Sequence, residues 1–169
     1  TLRALQLKKS DGTPYLDATN GLVKLFDSAG FNAGTAGYKA VRAYMQADAK
    51  PAMILLAPVY TGTTLPKNGF MGTAYRSRGS SGAANISEKY NVICTTAWDQ
   101  AKLVCTGSNP GVRIVQTTYN DTGYYALYFP TTLWNRITLD GLFWGDPIGI
   151  SNATGYPVTE VSYNTGPYA

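Results

Sequence analysis

The densest alternation of apolar and polar positions lies in residues 111–144. Val112–Tyr119 and Tyr124–Phe129 are rich in β-branched and aromatic residues, which fit a half-buried pleated surface. Between them, Asn120-Asp121-Thr122-Gly123 reads as a hairpin loop, because Asn and Asp tolerate left-handed backbone angles and Gly adopts them freely. Successive strand side chains point to opposite faces. Ile114, Gln116 and Thr118 therefore share one face, and Arg113, Val115, Thr117 and Tyr119 the other. On the second strand Tyr125, Leu127 and Phe129 oppose Tyr124, Ala126 and Tyr128. Both faces carry large apolar groups, which predicts a strand pair inside a sheet with something packed on each side. Pro130 ends the second strand because it has no N–H for the ladder. A third strand, Arg136–Leu139, is expected after Thr131–Asn135.

The same reading extends upstream. Val41–Ala47 alternates, with Val41, Ala43 and Met45 on one side and Arg42, Tyr44 and Gln46 on the other. It reads as a strand, although GYKAVRAYMQADAK is Ala-rich enough for a short helix. Met53–Leu56 is a continuous apolar run suited to a buried strand, continuing past Pro58 (an edge or bulge position) to Tyr60. Thr61–Lys67 is a turn-rich loop and Phe70–Arg76 a strand. Arg76–Asn85 is small and polar and reads as an exposed loop. Tyr90–Thr96 and Lys102–Thr106 form a hairpin. Folding it about Asp99-Gln100 sets Cys94 opposite Cys105, within disulfide reach; the preferred reading is nevertheless two buried thiols acting as small hydrophobes. The tail from Gly145 reads as loop, with one strand at Val158–Tyr163. Roughly eight or nine strands with regularly spaced turns predict an all-β, antiparallel β-sandwich-like head over residues 38–169.

Residues 1–37 differ. Gly12, Gly21 and Gly30 recur every nine residues, each closing a polar turn, with short strand-like pieces at Leu2–Leu7, Tyr15–Asp17 and Leu22–Phe26. Units this short cannot enclose a core of their own and bury their apolar faces by stacking or on neighbouring chains; three evenly spaced hairpin turns would give the same spacing. Gly30–Gly37 reads as a hinge. The expected organisation is thus a β-rich neck or shaft, 1–37, before the head.

Composition narrows the function classes. The 169 residues carry 14% charged side chains, against about a quarter in an average protein. Thirteen Tyr, eighteen Gly and many Thr take up the surface instead, as in secreted, virion or polysaccharide-facing β proteins. The net charge is +4, but the basic residues are scattered, whereas a nucleic-acid binder concentrates them; no nucleic-acid partner is expected. No run approaches the ~20 apolar residues of a membrane span, so no membrane insertion is expected. The absence of a signal peptide and the opening on Thr1 read as a fragment or processed product.

The chain has no histidine, which removes Ser-His-Asp and Cys-His catalysis and the commonest metal ligand. Two cysteines alone fall short of the about four ligands of a zinc site, so neither metal nor cofactor is expected. Glycoside hydrolysis needs only two carboxyls ~5–10 Å apart, for which Asp140 with Asp146, or Asp99 with Asp121, are candidates. Asp140-Gly141 and Asp146-Pro147 also read as plain turns. The aromatic inventory says more. Trp98 lies near the tip of the cysteine hairpin, Trp134 after Pro130, and Trp144 near the end of the last core strand; such rings either stack on sugars or fill a core or subunit contact. Arg76 and Arg78, flanking a serine in the polar loop, can clamp an anionic glycan or sit solvated. Asn120 and Asp121 join them as glycan-binding candidates.

Taken together, the turn-punctuated N-terminal strands, ILLAPVYTGTTLPKNGFMGTAYRSRG, RIVQTTYNDTGYYALYF and WNRITLDGLFWGD resemble the distal receptor-binding region of bacteriophage tail fibres and tailspikes. The resemblance covers most of the chain as a style of sequence, without a single diagnostic motif. It implies an intertwined homotrimer joined to the rest of the fibre, with residues 1–37 as a neck wound from three chains. It also implies non-catalytic adhesion to lipopolysaccharide, capsule or an outer-membrane protein. Such proteins belong to the virion and assemble in the bacterial cytoplasm, whose reducing conditions suit unpaired cysteines. The histidine repeat of iron-stapled fibre tips is missing, and the chain is too short for a depolymerising β-helix. A structural trimerisation or capping module, and a polysaccharide-cleaving enzyme, are the alternatives.

Overall fold

The structure is a computed structural model that describes residues 38–47, 50–63, 65, 68–78, 86–97, 100–130 and 136–162. The expected neck and hinge, Trp98, Asp99 and Trp134 lie outside these. The described residues form strands and no helix. The strands are β1 (Tyr38–Met45), β2 (Ala52–Pro58), β3 (Asn68–Arg78), β4 (Ile86–Ala97) and β5 (Gln100–Gly107), then β6 (Arg113–Tyr119), β7 (Thr122–Phe129), β8 (Arg136–Trp144), β9 (Ile148–Ile150) and β10 (Thr159–Glu160). They make two antiparallel five-stranded sheets, ordered β1-β8-β3-β4-β5 and β10-β6-β7-β2-β9. The fold is all-β and sandwich-like.

One core joins the inner faces of the two sheets. Phe70, Ala74, Tyr90, Val92 and Phe143 come from the first sheet, and Ile54, Ile114, Leu127 and Phe129 from the second, all buried in one cluster. Each fully buried side chain of this size contributes roughly 1.5–3 kcal/mol relative to exposure. Gly72 and Gly141 face each other across β3 and β8, and a Cβ on either would fall within 3.0 Å of the Phe70 ring. Their bare backbones make the room for that ring.

The β6–β7 pair is central in its sheet and covered on both faces, as the alternation predicts. Ile114 and Leu127 enter the main core, while Val115 and Ala126 join Met53, Leu55, Ile150 and Ala153 in a second cluster on the outer face. Residues 151–158 lie over that cluster: Ala153 is buried and its N–H donates to the Pro51 carbonyl at 2.8 Å. Pro58 falls beyond the reach of β9, where β2 has a neighbour on one side only, and a register irregularity at Leu55/Ala57 precedes it.

Four expectations need correcting. The cysteine hairpin pairs Ala97 with Gln100, so Cys94 opposes Leu103 and Cys105 opposes Val92; the cysteines are diagonal neighbours with free thiols. Diagonal Cα atoms stand ~7–8 Å apart, beyond disulfide reach. Asp140-Gly141 is no turn but the middle of β8, which runs on to Trp144. Arg76 and Arg78 belong to β3 rather than to an exposed loop. In the tail, of the described residues in the expected strand Val158–Tyr163 only Thr159–Glu160 are strand, and Ile148–Ile150 is a strand the loop reading missed.

The outer face of the first sheet is unlike that of the second. Five of the seven exposed large hydrophobics among the described residues, Val41, Met45, Met71, Tyr75 and Leu142, project from it. Arg42, Tyr44 and Gln46 turn inward instead. Arg42 is ion-paired with Asp146 and lies 5.5 Å from the Phe143 ring centroid. Gln46 Nε2 donates to the Lys50 carbonyl at 2.6 Å.

Candidate functional site

The β6–β7 turn consists of Asn120 and Asp121 alone, with Tyr119 paired to Thr122 across it. Their φ angles are +47° and +60°. Two successive left-handed residues match the right-handed twist of a hairpin, and short polar side chains accept that conformation at least cost. The turn is therefore a rigid mount for an amide and a carboxylate.

Opposite it runs the chain that enters β10. Thr154 N–H donates to Asn152 Oδ1 at 3.1 Å, and Tyr156 N–H to the Ala153 carbonyl at 3.2 Å. Tyr156 then lies against Tyr119, with ring centroids 6.2 Å apart and planes 24° from parallel. A cleft of about 630 Å³ opens between the two segments. Thr118, Asn120 and Asp121 line one side, and Thr154, Gly155, Tyr156 and Pro157 the other. Tyr119, Tyr124, Tyr128 and Tyr156 are all half-buried against the second apolar cluster, which fixes their rings.

A charged latch holds this chain in place. Arg113 Nε donates to both Glu160 oxygens at 2.8 and 2.9 Å, and Nη2 to Oε1 at 2.6 Å. Nη1 donates to the Gly111 carbonyl at 2.8 Å, and the guanidinium sits 5.3 Å from the Tyr128 ring centroid. The hydrogen bonds from Arg113 hold the Glu160 carboxyl below its ordinary range. Lined by two threonines, an amide, a carboxylate and the Tyr156 ring, the cleft suits a hydroxylated ligand that presents a flat apolar face.

Of the residues singled out from sequence, Asn120 and Asp121 line this cleft. Arg76 is buried on the inner face, 1% exposed, with Nε 2.9 Å from Glu88 Oε2 and Nη2 donating to Oε1 at 3.0 Å. Its guanidinium is committed to the protein, not offered to a glycan. Arg78 is half-buried at the end of β3, and Trp144 half-buried at the end of β8 on the outer face. Asp140 points outward from β8, whereas Asp146 is held by Arg42, whose side chain leaves β1 on the opposite face. These two carboxylates do not converge. Among the described residues no three Cys, Asp or Glu side chains gather as a metal set would.

Tyr156 was missed, and Tyr119, Tyr124 and Tyr128 were undervalued beside the tryptophans. Alternation already put Tyr124 and Tyr128 on one face of their strand and Tyr119 with Val115 on one face of its own; nothing local marked Tyr156, which arrives from a loop. No family model matches the chain. Neither a curated protein nor a solved structure is similar enough to count as a match.

Proposed function

We propose that this chain is the host-attachment part of a bacteriophage tail fibre or tailspike, a homotrimer that holds a bacterial surface polysaccharide in the cleft beside Tyr156 and leaves it chemically unchanged. The bacteriophage assignment rests on the sequence resemblance, including residues 1–37 as the neck that joins the rest of the fibre. The binding assignment rests on one observation: Tyr156, its ring lying against Tyr119, shares an open cleft with Thr118, Thr154, the Asn120 amide and the Asp121 carboxylate. Aromatic faces pack on the C–H face of a sugar while the polar groups bond its hydroxyls (compare). Three such weak sites on one particle act together through avidity, so no single site needs high affinity. Free thiols at Cys94 and Cys105 accord with assembly in the bacterial cytoplasm. An outer-membrane protein is the other receptor class the resemblance admits.

The test is binding of the full chain to lipopolysaccharide and capsule from a panel of bacteria. Tyr156→Ala is expected to weaken the positive interaction by about 3- to 10-fold, roughly the 0.5–1.5 kcal/mol of an aromatic contact. It is expected to keep the parent's far-ultraviolet circular dichroism spectrum, with a melting temperature lowered by the loss of its packing on the second apolar cluster. Equal binding by the variant, or no binding to any surface polysaccharide, overturns the reading. One observation favours a second reading, a trimerisation or capping module without a glycan site: the apolar outer face of the β1-β8-β3-β4-β5 sheet. Multimer formation with no glycan binding would favour it.

A further inference from the structure

We propose that the outer face of the β1-β8-β3-β4-β5 sheet is the surface through which copies of this chain pack against one another. The inference rests on the multi-copy part of the proposed function and adds to it the contact surface.

Register makes the face continuous. Leu142 lies beside Met71, Met71 beside Ile93, and Ile93 beside Val104, so one apolar row crosses four strands. Met71 and Leu142 are 40% and 36% exposed. Val41, Met45 and Tyr75 extend the patch on the same side, and their exposures of 44%, 43% and 40% are the cost of leaving it bare. On the other sheet the equivalent outer cluster is covered by residues 151–158 through Ala153 and Tyr156. Among the described residues nothing comparable covers this one.

Size and charge favour a second copy as the cover. Five strands at ~4.8 Å spacing, averaging about ten residues at ~3.3 Å, give a face of roughly 760 Å² in projection. Side-chain relief raises that toward the ~800 Å² per partner of a stable interface. The face also carries charge of both signs: Asp140 beside the apolar row, with Lys89, Lys102 and Arg136 on the flanking rows. A partner of one sign would meet repulsion from one of these sets. A copy rotated against the face brings its own Asp140 to one of these three cations, together with the matching apolar row.

The test uses the full chain. Light scattering is expected to return a multimer. Met71→Lys with Ile93→Lys is expected to reduce it to single chains with an unchanged far-ultraviolet circular dichroism spectrum. Should that variant fail to fold, Val41→Lys with Met45→Lys repeats the test at positions already open to water in the single copy. A monomeric parent chain overturns the proposal, and so does a multimer that survives both variants. A monomer whose Met71 resists peroxide oxidation also overturns it, since residues 1–37 of the same chain would then be the cover. Glycan binding reads out separately. Its loss with the multimer intact removes the cleft reading alone, and dissociation with per-site affinity retained leaves the cleft reading standing.

Discussion

Arg76 heads the fully buried side chains among the described residues. A guanidinium taken from water costs several kcal/mol unless paired, and here Glu88 supplies both oxygens while Phe129 lies 6.0 Å below. Tyr90 donates its hydroxyl to the same carboxylate, and burial first, then that hydrogen bond, raises the phenol's pKa. Removing one partner strands the other charge. Glu88→Ala is therefore expected to lower stability by about 3–5 kcal/mol in urea titrations, while Arg76→Met combined with Glu88→Leu loses less than either truncation alone. A loss under about 1 kcal/mol for Glu88→Ala would show that water reaches the pair. The position was half-legible in the sequence. Alternation from Phe70 through Gly72 and Ala74 puts Arg76 on the core face, but the Ser and Gly residues after it imitate an exposed loop. Only the partner on β4, twelve residues away, makes a buried arginine tolerable.

At the level of elements, hairpins built on strong local signals were readable and their registers were not. Alternation gave the faces of β6 and β7 correctly, because a period of two is a local property. In the β4–β5 hairpin the true register differs by two residues from the one centred on Asp99-Gln100. A slip of two keeps every side chain on its own face, so the apolar pattern cannot oppose it. The strand order β1-β8-β3 was out of reach for another reason: it joins segments about 60 to 105 residues apart. In the Asn120-Asp121 turn a further consequence can be measured. Both residues hold left-handed angles, which Gly adopts without strain. Asp121→Gly is expected to hold or raise stability, by up to about 1 kcal/mol, while weakening glycan binding through loss of the carboxylate. Calorimetry and binding on one sample separate the two effects. A fall in stability would mean that the carboxylate holds the turn, and unchanged binding would remove Asp121 from the site.

For the whole molecule, the missing histidine has a thermodynamic consequence. No side chain with an ordinary pKa titrates between about pH 5.5 and 8, so stability should be flat there. On the acid side, Glu160 carries a folded pKa below its ordinary 4.5. Its contribution is complete above that value and fades as pH falls through the folded one; being exposed, it is small and salt-screened. The alkaline side is steeper. Burial raises the Cys94 thiol from an ordinary 9.0, pushes Cys105 up to about 11, and raises the Tyr44 and Tyr125 phenols from 10.0. The unfolded chain releases these protons first. Stability from these groups is therefore intact below about pH 9 and declines as pH climbs from the unfolded toward the folded values. Replacing both thiols isolates their share. Cys94→Ala with Cys105→Ala lowers the plateau by the packing lost, yet the decline between about pH 9 and 11 becomes shallower, by the slope of up to two protons. Urea titrations at a series of pH values read that slope independently of the plateau. An unchanged slope in the double variant would place the alkaline weakness in the tyrosines and show that the thiols already meet water in the folded chain.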